Sequence, residues 1–539
     1  MPDWRVFITR KGFMERRISE SFFQKPLKYR LLYDIISLYK EAMEMAIPKD
    51  ILEIERPRNT VVYSYGKGGT KYAVKKRVGC RRVNGRNLPV NGPTIGHIVG
   101  GAYVPIPEKG IMGAGPDLKD WANASLADSL FRDVLGELRA EYDEATAEKV
   151  YASSILRVIY PDIADYELQS AYQNCWLSEL YPGVALSKNT VSSLWDSLGK
   201  KCSRIMSFMK ARAGRVSMGS RLLLDGTLKS DESRVNSLSD FSRKARLKGS
   251  RDISVLFAFD LDRKEPVCSM CYPGNMLDVT SYADFVRKCG ITKGVIVADK
   301  GFPSSAAEAE FRANPDLHYL NPIKRNSKTI GANSMLSFDG VLPGHDGVLF
   351  KKAKSGKAWL YSYRDLGLAA KEESDFVARA QKSGGYDDSK LRGKRESFGT
   401  MVLESDLEMS AEQAYDAYSE RWEIETVMRY YKHACGFDET RVQSDYSVYG
   451  SEFCDFLSTV LTFRLLKAFG SSGASDRFTY GRIIKKLERA KMVRASAKSG
   501  WELVRTNPSD VELLQSLGLL PKDPEQPKRK RGRPKKSAA

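Results

Sequence analysis

The sequence predicts an α/β protein: a mixed-sheet core preceded by a mainly helical N-terminal region, split by a β-rich insertion and ending in a disordered basic tail. Three observations carry this. Leu222–Leu224 and Gly294–Ala298 are short all-apolar runs, the pattern of strands buried on both faces. Residues 219–325 alternate in the order βββαβαβ, which a mixed sheet with crossover helices satisfies. Helical apolar spacing flanks that stretch, at Leu126–Leu138 and Ala145–Val158 before it and over residues 410–470 after it.

In chain order, residues 1–115 form a first unit. It holds a helical stretch at Leu27–Met43, then short β-prone runs (Val61–Tyr63, Tyr72–Val74) between Gly-rich turns. Lys75, Lys76, Arg77, Arg81, Arg82 and Arg86 make this β unit basic. Residues 116–215 are helical. A helix over Asp165–Leu177, the turn Tyr181-Pro182-Gly183 and a helix from the N-cap Ser187 to about Gly199 give a helix-turn-helix outline. An ordinary helical pair satisfies the same spacing. Residues 216–325 are the first part of the core, with strands at Arg221–Leu224, Ile253–Leu261, Pro266–Cys271, Gly294–Ala298 and His318–Ile323 and helices at Thr280–Cys289 and Ser304–Ala313. Residues 326–409 are the β-rich insertion. A hairpin (Val348–Ala353, Ala358–Tyr363) turns at Ser355-Gly356, followed by a charged helix, Ala369–Lys382, and a strand, Gly399–Leu403. Residues 410–475 return to core helices, 476–520 are a C-terminal helical region, and 521–539 are a Pro/Lys/Arg tail too poor in apolar residues to fold alone.

The chain of 539 residues is 42% hydrophobic, enough for real cores. Its 86 Lys and Arg against 67 Asp and Glu give a net charge of +19, which points to a polyanionic partner. Of eight cysteines only Cys268 and Cys271 form a CxxC, and no second pair completes a zinc ribbon. Four dispersed histidines add no metal cluster. The N-terminus MPDWRVFITRKGFMERR lacks the apolar core of a signal peptide, and no run of 18 apolar residues exists to span a membrane. The expectation is a cytoplasmic protein, located where its DNA is, with no membrane partner.

Two acids follow the buried runs directly: Asp225 after Leu222–Leu224, and Asp299 after Gly294–Ala298. Each is expected at the C-terminal end of its strand, the edge where α/β sheets bind ligands. Paired carboxylates suit a divalent ion such as Mg²⁺, although Asp before Gly, as in Asp225-Gly226, is also common turn chemistry. A third acid lies on a helix expected to start near Ser410, with Gln413 completing a capping box. Relative to Tyr418, Arg421, Glu425 and Lys432 stand 3, 7 and 14 positions on. On one continuous helix these four share a sector of roughly 60°. Such a face is apt for a phosphodiester: Glu425 on metal, Arg421 and Lys432 on phosphates, Tyr418 donating a hydrogen bond. A solvated helix with an Arg421–Glu425 ion pair has the same spacing.

The pattern Y-x2-R-x3-E-x6-K formed by Tyr418, Arg421, Glu425 and Lys432 resembles the signature of the insertion-sequence DDE transposases that carry the Y-R-E-K motif. The Leu-Asp-Gly-Thr segment at Asp225 and the Ala-Asp-Lys-Gly-Phe segment at Asp299 resemble that family's first and second acid motifs. The 126 residues from Asp299 to Glu425 resemble its insertion. One departure is Lys300, where Arg is also common; it keeps the charge and loses the bidentate fork. The resemblance covers roughly residues 150–470 and implies an RNase H-like core. It implies Asp225, Asp299 and Glu425 as catalytic metal ligands for two Mg²⁺ ions, with Mn²⁺ as the substitute. It also implies cleavage at element ends, joining to target DNA, and a homodimer synapsed on double-stranded DNA in a prokaryotic cell. An RNase H-like nuclease or resolvase without strand transfer shares the acids, and a non-catalytic DNA-binding descendant shares the fold. In the tail, Arg531-Gly532-Arg533 resembles an AT-hook, whose flat form suits a narrow A·T minor groove.

Overall fold

The computed structural model describes residues 47–65, 70–83, 86–106, 116–231, 233–242, 249–276, 278–299, 304–434, 436–440, 442–496 and 499–522. The expected helix at Leu27–Met43, Lys300 and the basic tail with Arg531 and Arg533 lie outside them. The chain divides into two compact units, Met1–Gly115 and Pro116–Ala539.

In the first unit, helix α1 (Lys49–Glu53) precedes a four-stranded antiparallel sheet of β1 (Thr60–Tyr65), β2 (Lys71–Val83), β3 (Arg86–Val99) and β4 (Ala102–Pro105), in that spatial order. Val62, Val74 and Ile98 are buried on one face, with Ile51 and Ile54 packed against them.

The second unit opens with β5 (Asp117–Asp120) and six helices: α2 (Ala122–Glu141), α3 (Glu144–Ile159), α4 (Leu168–Asn174), α5 (Leu177–Leu180), α6 (Lys188–Lys200) and α7 (Cys202–Ala213). Ser187 is the N-cap position of α6, but its hydroxyl meets the Thr190 hydroxyl at 2.8 Å and caps no backbone N–H. Next come β6 (Arg221–Ser230), β7 (Asp240–Phe241), β8 (Arg251–Asp260), β9 (Glu265–Pro273), α8 (Asp278–Cys289), β10 (Lys293–Ala298), α9 (Glu308–Ala313) and β11 (Asp316–Pro322). The following segment adds α10 (Lys328–Ala332), β12 (Gly340–Val341), β13 (Val348–Ser355), β14 (Ala358–Asp365), α11 (Leu366–Lys382), α12 (Asp388–Arg395) and β15 (Thr400–Ser405). The chain closes with α13 (Ala411–Ser419), α14 (Trp422–Arg429), a π-helical turn over Tyr430–Ala434, α15 (Asp445–Ser471), α16 (Ala474–Arg477), α17 (Tyr480–Glu488), β16 (Lys491–Arg494), β17 (Glu502–Leu503) and α18 (Pro508–Ser516).

One mixed sheet organises this unit. Its order is β12-β13-β14-β15-β11-β10-β6-β8-β7, with β9 also pairing β8. β10 runs parallel to β6 and to β11, whereas β8 is antiparallel to β6. The strands after residue 326 extend this same sheet, because β15 pairs β11.

The two sheet faces bury different helices. Leu222, Leu224, Ile296 and Ala298 pack into the large core shared with α2, α3, α6, α7 and α15. Leu223, Val295, Val297 and Leu320 face the other way, onto Ala411, Ala414 and Ala417 of α13 and Ile424 and Val427 of α14. Strand alternation produces that division: successive side chains leave opposite faces. A second small sheet of β17, β16 and β5 joins the start and end of the unit. Among the described residues, no helix is long and apolar enough to cross a membrane.

The central helix α15 crosses α6 so closely that side chains are excluded at two points. A Cβ at Gly450 would overlap the Trp195 carbonyl, and one at Gly199 the Tyr446 carbonyl. Both obstacles are backbone, which cannot rotate away. Gly450→Ala is expected to destabilise the second unit by about 1–3 kcal/mol, the usual range for overpacking. Urea unfolding checks this, and an unchanged midpoint would disprove the tight crossing.

Candidate active site

β10 ends at Ala298, paired with Leu224 of β6, so Asp299 and Asp225 each follow the last pair by one residue. β6 does not end there. It continues to Ser230, held by β8 along its other edge. The expectation of Asp225 at a strand C-terminus is therefore corrected: Asp225 is mid-strand, and Gly226 belongs to the strand and not to a turn. The notch arises because the neighbouring strand stops, leaving one edge of β6 without β10 from Asp225 onward. The Gly226 N–H donates to Asp225 Oδ1 at 2.8 Å.

Alternation puts Asp225 on the face of Leu223, and Asp299, just past the end of β10, lies near enough to Tyr418 of α13 to act on its phenol. That face carries α13 and α14. Phe257, the cross-strand partner of Asp225, meets Tyr431 of the π turn edge-on at 5.2 Å. Both acids thus follow the last β6–β10 pair, and Asp299 lies near the helix that leads to the third acid.

The third motif is built differently from the expectation. Ser410 caps α13 and forms the capping box with Gln413. The helix then stops: Glu420 and Arg421 form a turn, α14 restarts at Trp422, and a π-helical turn follows Arg429. The assumption of one continuous helix is corrected, because a break and a π turn each add rotation that the 100° count omits. Tyr418 and Arg421 remain together, with the guanidinium 5.5 Å from the Tyr418 ring centroid. Burial raises the pKa of the Tyr418 phenol; Arg421 works against that, and nearby Asp299 adds to it. Arg421 Nε is buried and lacks an acceptor among the described residues.

Glu425 is exposed on α14, whose buried residues are Ile424 and Val427. Lys432 stands apart from the acids. Its charge opposes the rise in the Asp252 carboxyl pKa that burial causes. Asp252 pairs with Ser230, five residues along β6 from Asp225, or roughly 16 Å at about 3.3 Å per residue. Trp422, unweighed in the sequence, is the outward side chain beside Arg421, at 68% exposure. Its signal was an aromatic next to the motif Arg at the start of a helix.

For a metal, the carboxylate oxygens are the right donor type for a hard divalent cation. Among the described residues, however, no group of three His, Cys, Asp or Glu side chains is gathered so as to hold an ion, so Glu425 does not complete a cluster.

A buried ion network fixes the elements around these residues. Lys229, four positions beyond Asp225 on the same strand, bonds Asp455 at 2.9 Å and also Glu452, both on α15. Arg157 of α3 pairs with Asp455 and, at 2.8 Å, with Asp165. Asp165 accepts a 2.8 Å bond from the Trp195 indole, and Tyr431 donates to Glu452 at 2.5 Å. Burial alone would lower the Lys229 pKa; Asp455 and Glu452 reverse this and hold it above its usual value, so the ammonium stays charged. A cavity lined by Arg157, Asp165, Lys229, Glu452 and Asp455 adjoins the network.

The arrangement defines a mixed-sheet α/β protein with a carboxylate pair where one parallel strand stops. Residues 220–448 match the family described as the transposase DDE domain, a span that contains all three motif acids. A cryo-EM structure of a piggyBac transposase synaptic complex with hairpin DNA is similar at 11% identity, with a TM-score of 0.36, over 68% of this chain and 79% of that chain. That superposition is too loose to carry an argument. No curated protein matches the sequence.

Asp455→Asn is expected to cost about 3–5 kcal/mol, because it leaves Arg157 and Lys229 buried with one anion fewer. Tyr431→Phe should cost less, about 1–3 kcal/mol, since Glu452 keeps Lys229. Urea denaturation of both variants checks the order; a larger loss in Tyr431→Phe would refute it.

Proposed function

We propose that this chain is a divalent-metal-dependent DNA transposase of the Y-R-E-K insertion-sequence class, with an RNase H-like core, that cleaves element ends and joins them to target DNA. One observation carries the reading. Asp225 and Asp299 each stand one residue past the last β6–β10 pair, Asp299 near Tyr418 of α13, within the stretch matching the transposase DDE domain.

Asp225, Asp299 and Glu425 are the residues that would hold the ions, two Mg²⁺ with Mn²⁺ as substitute. When bound, such ions supply an activated water or 3′-hydroxyl and a stabilised leaving oxygen. The chain's own groups supply position. Arg421, whose buried Nε has no acceptor among the described residues, is placed to take a phosphate oxygen. Tyr418 beside it has a phenol kept protonated and able to donate. Lys432, on the π turn, contacts a DNA phosphate, and Lys300 follows Asp299 directly. Arg531 and Arg533 of the tail contact A·T-rich minor groove. The partners are double-stranded element ends and target, synapsed by a homodimer, in the cytoplasm of a prokaryotic cell.

The experiment is Mg²⁺-dependent cleavage and joining of a duplex carrying the repeats that flank the coding region. Asp225→Asn, Asp299→Asn and Glu425→Gln are each expected to abolish cleavage while sparing end binding. Cleavage near the unsubstituted level in any one of them removes that residue from the site. Products cut but never joined would favour the nuclease reading. Arg421→Ala should weaken engagement of the cleaved end, with a smaller loss of activity than the acid variants; activity equal to the unsubstituted chain would refute the phosphate role.

A further inference from the structure

Between Arg56 and Ile106 the sequence has ten Lys or Arg and no Asp or Glu. The structure organises many of these cations along one hairpin. β1 pairs β2 only from Lys71 to Lys76, and β4 pairs β3 only from Gly96 to Val99. Beyond that, among the described residues, β2 and β3 pair only with each other: Gly79 with Val90, Cys80 with Pro89, Arg81 with Leu88, Arg82 with Asn87 and Val83 with Arg86. The hairpin is therefore a two-stranded arm leaving a four-stranded base. Register shifts between Val74 and Gly79 bend and twist it at its root.

An isolated two-stranded ribbon is marginal in water. Here Val78 is 59% exposed and Val90 is also exposed, and neither joins the core of Val62, Val74 and Ile98. Such an arm is short of a partner, and its acid-free charge selects a polyanion. A two-stranded β-ribbon is one of the shapes the major groove of duplex DNA admits, at about 12 Å wide and 8.5 Å deep. The five terminal pairs span roughly 15 Å at about 3.3 Å each, enough to fill that depth.

We propose that the β2–β3 arm seats in the major groove of double-stranded DNA, with Arg81, Arg82 and Arg86 as its phosphate-contacting positions. The proposal rests on the transposase reading for the choice of DNA as the polyanion. The catalytic acids take no part in it.

The test uses the full chain carrying Asp225→Asn, in EDTA, so that binding is read without cleavage. Affinity for a short duplex is measured by fluorescence anisotropy between about 50 and 200 mM salt. Serine at Arg81, Arg82 and Arg86 together should weaken binding and make the log–log salt slope shallower by about 2–3, at about 0.9 per phosphate contact. Lysine at the same three positions should restore the slope, which a merely structural role of the arm would not do. Unchanged affinity and slope in the serine variant would overturn the proposal. So would an equal loss in the lysine variant, or tighter binding of a single strand that shows the same loss. If cleavage assays fail while the arm variants behave as stated, the catalytic reading falls and this one stands; the reverse pattern removes the arm alone.

Discussion

The second unit depends on a buried set of charges that must neutralise one another. Lys229, Arg157, Glu452 and Asp455 are all almost fully excluded from water. A lone buried ion costs several kcal/mol, so none of these side chains is tolerable without the others. Their chain positions make the constraint architectural: Lys229 on a core strand, Arg157 on an N-terminal helix, and Glu452 and Asp455 on α15. Regions far apart in sequence close around one electrostatic condition. Tyr431 adds the π turn to the same set through Glu452.

This condition bears on the site because two of its members are chain neighbours of candidate functional groups. Lys229 fixes the strand four residues beyond Asp225, and Tyr431 fixes the segment six residues beyond Glu425. At the opposite end, Glu420 pairs with Arg221 at 3.0 Å and Glu423 with Lys264 at 2.7 Å. The two surface-side pairs are weak individually. Together with the burial of Ile424 and Val427, they set which side of α14 meets the sheet and which meets solvent. Glu425 faces solvent as a result of that packing.

What the sequence revealed follows from what is local. The apolar runs at Leu222–Leu224 and Gly294–Ala298 named two core strands because burial on both faces leaves no polar position. The capping box at Ser410 and Gln413 was legible because it is a four-residue device. The length of β6 was not. Asp225-Gly226 has turn chemistry, and only the pairing of Gly226 with Leu256 and of residues beyond it with β8 carries the strand onward. Likewise, helical spacing from Tyr418 to Lys432 concealed a break at Glu420–Arg421 and a π turn at Tyr430–Ala434, because periodicity does not register a local change in residues per turn. The ion network escaped for the same reason: Lys229 and Asp455 lie 226 residues apart, and no local pattern joins them.

The break before Trp422 is the feature that most alters the meaning of the motif. On a continuous helix Arg421 would face its i+4 neighbour Glu425, and the two could neutralise each other as a surface pair. Here Arg421 lies over the Tyr418 ring, and its Nε is withdrawn from water without an acceptor among the described residues. An unsatisfied buried donor costs about 1–3 kcal/mol, which stability alone gives no reason to retain. A bound anion would remove that cost by supplying the acceptor. Glu425 has no ion pair among the described residues, so its carboxylate is not already committed to Arg421. Arg421 is thus left suited to phosphate and Glu425 to a cation.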